Sequence, residues 1–111
     1  MSTDYAVPRG EGAYDTRIHL RLSTTLADRL EAAFQTQSQG IRAAMRYAIA
    51  ESPLSRWPVV TDGRDLEGEA VKRVSVRVAP ALDENLSHIV EQESAPGQSR
   101  VVRDAARDLL A

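Results

Sequence analysis

A chain of 111 residues, 42% hydrophobic and 27% charged, has the length and composition of one small globular domain. It has no cysteine, which excludes disulfides and thiolate metal sites, and its five aromatic residues are too scattered for the stacking platform that single-stranded nucleic acids favour. The net charge of −2 argues against a wholly basic nucleic-acid binder, but the charge is unevenly distributed: −2 over residues 1–15, +2 over 16–52, −2 over 53–71 and balance over 72–111.

The first segment, MSTDYAVPRGEGAYD, contains Gly and Pro and little apolar content, which predicts a flexible N-terminal arm over residues 1–15. It lacks the apolar core of a signal peptide, and no run in the chain reaches the ~20 apolar residues of a membrane span. The expected setting is cytoplasmic, with no membrane partner.

TRIHLRLS (residues 16–23) then alternates, with Ile18, Leu20 and Leu22 on one parity and Arg17, His19 and Arg21 on the other. Successive side chains of a strand point to opposite faces, so this is a strand with an apolar underside and a cationic outer face. Ser23 is placed to cap a helix whose Leu26, Leu30, Ala33 and Phe34 recur at helical spacing. The polar stretch QTQSQG reads as a turn, and GIRAAMRYAIAES as a second helix ended by Pro53. Residues 53–71 read as a linker.

The same order returns. KRVSVRVA (residues 72–79) sets Val74, Val76 and Val78 against Arg73, Ser75 and Arg77; Pro80 suits the first turn of a helix carrying Leu82, Leu86, Ile89 and Val90. EQESAPGQS is the turn, and GQSRVVRDAARDLLA the last helix. An offset of 56 overlays Arg17 on Arg73, Leu20 on Val76, Arg21 on Arg77, Leu26 on Leu82 and Leu30 on Leu86; an offset of 57 then overlays Met45 on Val102, Arg46 on Arg103 and Ala48 on Ala105. Each unit, 16–52 and 72–111, is strand–helix–helix. A unit of this size leaves its sheet edge and apolar faces uncovered. Two units together pair their strands antiparallel under four helices, and the linker, which extends to roughly 60 Å, spans them easily. The expected fold is mainly α with a two-stranded antiparallel β-ribbon, two fused units forming one pseudo-two-fold domain. Pairing within one chain and swapping between two chains both satisfy the pattern.

The strands RIHLRL and RVSVRV, the Leu26/Leu30/Phe34 and Leu82/Leu86/Val90 stripes and the segments AAMRYAI and VVRDAA resemble the ribbon-helix-helix (Arc/MetJ-like) DNA-binding family over residues 16–52 and 72–111, about seven-tenths of the chain. The resemblance implies that Arg17, His19, Arg21, Arg73, Ser75 and Arg77 face the bases of double-stranded DNA from the major groove. It also implies that the N-termini of the second helices, around Ser38, Gly40 and Ile41 and around Gly97, Gln98 and Ser99, hold phosphates. Two repeats in one chain are similar to the family's fused pseudo-dimeric members. The implied function is sequence-specific regulation of transcription, as a repressor; the alternatives are an accessory DNA-binding role in a plasmid relaxosome and an antitoxin-type protein-binding module. Self-association along tandem sites is a further expectation.

The remaining residues carry blander readings. His19 reads as a hydrogen-bond donor rather than a pH sensor, and His88 as a surface residue. Trp57 reads as packed against the helices. Arg46 and Arg103 are open between contact with the DNA backbone, intrahelical pairing and solvation, while Asp104, Arg107 and Asp108 form a solvated face. No phosphate loop, metal-ligand cluster or nucleophile–base spacing is present, so no enzyme, cofactor or metal is expected.

Overall fold

In the computed structural model, which describes residues 4–6, 10–51, 66 and 68–111, strand β1 (Thr16–Ser23) pairs antiparallel with β2 (Val71–Val78) of the same chain. Between them lie α1 (Thr24–Phe34) and α2 (Gln37–Glu51), and after β2 come α3 (Pro80–Gln92) and α4 (Gln98–Leu109). The chain is therefore mainly helical, with one two-stranded ribbon. The linker residues 53–65, with Trp57 among them, lie outside the described residues.

Alternation in the two strands sorts them cleanly. Ile18, Leu20 and Leu22 of β1 and Val74, Val76 and Val78 of β2 are buried, and every intervening side chain from Arg17 to Arg21 and from Arg73 to Arg77 is exposed. The apolar underside joins α1 (Leu26, Leu30, Phe34), α2 (Ile41, Met45, Ala48), α3 (Leu82, Leu86) and α4 (Val101, Val102, Ala105, Ala106, Leu109) in one core drawn from both halves of the sequence. Burying each of the larger aliphatic side chains stabilises by about 1.5–3 kcal/mol, which a single strand with two helices has too little partner surface to realise. Among the described residues no helix is long and apolar enough to cross a membrane.

The helix starts follow local chemistry. The Ser23 hydroxyl accepts from the Leu26 N–H at 3.0 Å, and Pro80 sits in the first turn of α3 behind Ala79. One start differs from the sequence expectation. QTQSQG is not a turn throughout: the reversal is confined to Gln35 and Thr36, and α2 begins at Gln37. Gln35 adopts φ 74°, ψ −46°, and the Thr36 N–H donates to the Phe34 carbonyl at 2.9 Å, a three-residue reversal. Thr36 then caps α2, its hydroxyl accepting from the Gln39 N–H at 3.1 Å and its carbonyl from the Gly40 N–H at 3.1 Å. The second interhelical turn closes differently. The Ala95 N–H reaches the Val90 carbonyl at 3.0 Å and the Ser94 N–H the Glu91 carbonyl at 3.4 Å, with Ser94 at φ 53°.

Two described residues of the N-terminal segment, Tyr5 and Glu11, contact α2. A 3-10 turn, Asp4–Ala6, sets the Tyr5 ring edge-on to Tyr47 at 5.2 Å, with the Tyr5 hydroxyl donating to Glu51 at 2.6 Å. Glu11 forms a two-pronged ion pair with Arg46 at 2.7 and 2.9 Å.

Candidate nucleic-acid interface

The ribbon register places Arg17 opposite Arg77, His19 opposite Ser75 and Arg21 opposite Arg73. All six of these residues are exposed, and all lie on the face turned away from the core. The Arg21 N–H donates to the Ser99 hydroxyl at 3.1 Å and the Arg21 carbonyl accepts from Arg103 at 2.9 Å, so both backbone groups of Arg21 point away from β2. Arg21 and Arg73 thus form a non-hydrogen-bonded pair, the closer kind, with Cα atoms about 4.5 Å apart. Alternation makes Arg17–Arg77 the same kind.

Like charges directly opposite one another cost roughly 0.2–1 kcal/mol per pair. None of the four guanidinium groups forms an ion pair among the described residues, whereas Arg46, Arg100 and Arg107 each find a carboxylate. Two cationic pairs left without anions on a rigid face form a ready receptor for an anion or for hydrogen-bond acceptors.

The second-helix N-termini flank the two ends of this face. Arg42, early in α2, donates to the Arg77 carbonyl at 3.0 Å, and Ser99, early in α4, holds the Arg21 N–H. Their residues divide, however. Ser38 lies half-buried in the first turn of α2. Gly40 and Ile41 do not lie at an accessible helix end: both are buried a turn further in, because α2 starts at Gln37 and packs Gly40 against Leu30. Gly97 is the N-cap of α4 with no side chain capping it. The Gln98 amide already donates to Asp83 at 2.9 Å and Ser87 at 2.6 Å, and the Ser99 hydroxyl oxygen accepts from the Arg21 N–H, a bond that does not use its O–H. Backbone N–H groups and the Ser38 and Ser99 hydroxyls are what these two helix ends offer to an anion.

Arg46 and Arg103, left open by the sequence, are both buried. Arg103 is fully buried, and Arg46 is 6% exposed. Neither lies on a surface that DNA could touch. Burial alone would lower the Arg46 pKa, but the hydrogen bond and negative charge of Glu11 outweigh it, and the pKa is raised. The guanidinium stays charged under the arm. Arg46 also donates to the Tyr5 carbonyl at 2.8 Å. Asp104 and Asp108 are likewise less free than a solvated face implies: Asp104 pairs with Arg100 and Arg107, and Asp108 accepts from the Tyr47 hydroxyl. His88 is exposed, as its position in the helix suggests.

Compared with models of protein families, with curated proteins and with solved structures, the chain matches none of them.

Proposed function

We propose that this chain is a sequence-specific, double-stranded-DNA-binding regulator of transcription that works in the cytoplasm by laying its β-ribbon in the major groove. The observation that carries the reading is the ribbon face itself, with Arg17 opposite Arg77 and Arg21 opposite Arg73, all exposed and without carboxylate partners among the described residues. The major groove admits a two-stranded ribbon, and the arginine fork matches guanine O6 and N7, each good bidentate pair discriminating by about 1–3 kcal/mol. Helix N-termini beside each ribbon end supply N–H groups for phosphates, which position the protein without reading sequence.

The reading includes two fused ribbon-helix-helix units. An offset of 56 turns the pair Arg17–Arg77 into Arg73–Arg21 and carries His19 onto Ser75, so repeat and register share one two-fold axis through the His19–Ser75 pair. The core positions Leu30/Leu86 and Met45/Val102 and the buried Arg46/Arg103 are matched in the same way. Only His19 against Ser75 breaks the equivalence of the six ribbon residues.

The test is selection of a preferred duplex from a random pool, followed by titration of that duplex with the double variant Arg21→Ala/Arg77→Ala. Loss of about 100-fold or more in affinity, with circular dichroism unchanged, is expected from two lost base contacts. Unchanged affinity and preference in the folded variant overturn the reading.

A further inference from the structure

The two ends of the ribbon are held by different means. At the Arg21–Arg73 end, α4 grips the outer edge of β1 twice, through Ser99 and the buried Arg103. At the Arg17–Arg77 end it is α2 that reaches the outer edge of β2, through Arg42, which donates to the Arg77 carbonyl at 3.0 Å. Arg46, the counterpart of Arg103, turns instead to Glu11 and Tyr5. Arg42 has an aromatic support: its guanidinium lies over the Tyr14 ring, 4.3 Å from the centroid. Tyr14 immediately precedes Asp15 and β1, and its hydroxyl is 3.5 Å from Arg46.

We infer that Arg42 is a positioning residue for the Arg17–Arg77 end of the ribbon, kept in place by Tyr14 of the N-terminal segment, so that this segment sets base discrimination in one half of the DNA site and not the other. The inference rests on the DNA-binding reading for its functional half and on geometry alone for its structural half. A long arginine side chain reaches the Arg77 carbonyl only in a restricted set of rotamers. The aromatic face beneath the guanidinium selects among them electrostatically and sterically, and the Glu11–Arg46 ion pair moors the segment that carries the ring. Because Arg77 offers its carbonyl to Arg42 while its side chain projects from the ribbon face, a shift of the backbone there re-aims the guanidinium that would read a base.

The experiment compares Tyr14→Leu and Tyr14→Phe with the parent chain by two readouts. Amide hydrogen exchange is followed over residues 16–18 and 76–78 at one ribbon end and over 20–22 and 72–74 at the other. Discrimination is measured by titrating the selected duplex and its single-base variants. In Tyr14→Leu, exchange should quicken at the first end alone, and discrimination should fall about 3- to 10-fold at the base positions lost in Arg77→Ala but not at those lost in Arg21→Ala. Tyr14→Phe, which keeps the ring, should behave as the parent. Equal change at both ends, loss in one half with Tyr14→Phe as well, or no change in either readout overturns the inference. A parent chain without duplex preference that still shows the one-ended exchange effect sinks the DNA reading and leaves the positioning of Arg77 intact; the two failures are therefore distinguishable.

Discussion

The fully buried guanidinium of Arg103 donates to the backbone carbonyl of Arg21, tying α4 to the strand edge directly behind the exposed face. Truncation here removes the donor, leaves that carbonyl to find water in a packed site and opens a void. Arg103→Met should therefore destabilise the chain by about 2–4 kcal/mol in urea or thermal unfolding, far more than truncating exposed Arg73. A loss under about 0.5 kcal/mol would mean that the bond is incidental.

Gly40 and Gly97 should respond to a side chain with opposite signs. A Cβ at Gly40 would stand 2.7 Å from the Leu30 Cβ and 2.9 Å from the Leu30 carbonyl oxygen, and α1 would have to move off α2. Gly40→Ala is expected to cost about 1–2 kcal/mol net, overpacking exceeding the ~1 kcal/mol gain in helix propensity. At Gly97 nothing lies within 4 Å, the backbone is extended and α4 has no side-chain cap. Gly97→Ser should stabilise by roughly 0.5 kcal/mol. Paired denaturation curves check both.

The Tyr47 hydroxyl donates to the Asp108 carboxylate, and this bond, then burial and the negative charge, raise the Tyr47 pKa to about 12. A raised folded-state pKa favours the protonated form. Its stabilisation is present in full below the unfolded-state value of about 10 and fades as pH climbs from there through about 12. Tyrosinate absorbance should show one late-titrating tyrosine that is absent in Tyr47→Phe, and the stability of Tyr47→Phe should lose the parent's extra decline in that window. Tyr47 titrating near 10 would contradict the assignment.

His19→Ser makes the outward row of β1 the same as that of β2, Arg–Ser–Arg on each strand. On the proposed DNA-binding reading, the parent chain prefers a site with unequal halves and the variant shifts towards a palindrome. Selection from a random duplex pool checks this; an identical consensus for both proteins would remove His19 from base reading.

Much of this architecture was legible in the sequence because its determinants are local. Period-two alternation marked both strands to within a residue, and Ser23 and Pro80 marked two helix starts. The start of α2 was not legible: its reversal uses Gln35 at positive φ where a glycine or asparagine would signal a turn, and its cap is the inconspicuous Thr36. Without that cap, Gly40 read as the helix end when it is the close contact between two helices. The contacts of Tyr5 and Glu11 with α2 and the burial of Arg46 were hidden for another reason. Glu11 and Arg46 are far apart in sequence, and a charge on a helix reads as a surface residue until its partner is seen. On the ribbon the sequence placed all six residues correctly on one face, since parity alone decides that.

Both strands of the ribbon belong to one polypeptide. A chain that assembles its sheet from two separate molecules loses it on dilution and repeats every inherited change on both sides. Here one chain carries both strands, and pairing them within it needs no second molecule. A single codon change alters one side of the face and spares the other, so the two halves are free to diverge in sequence, as His19 and Ser75 already do.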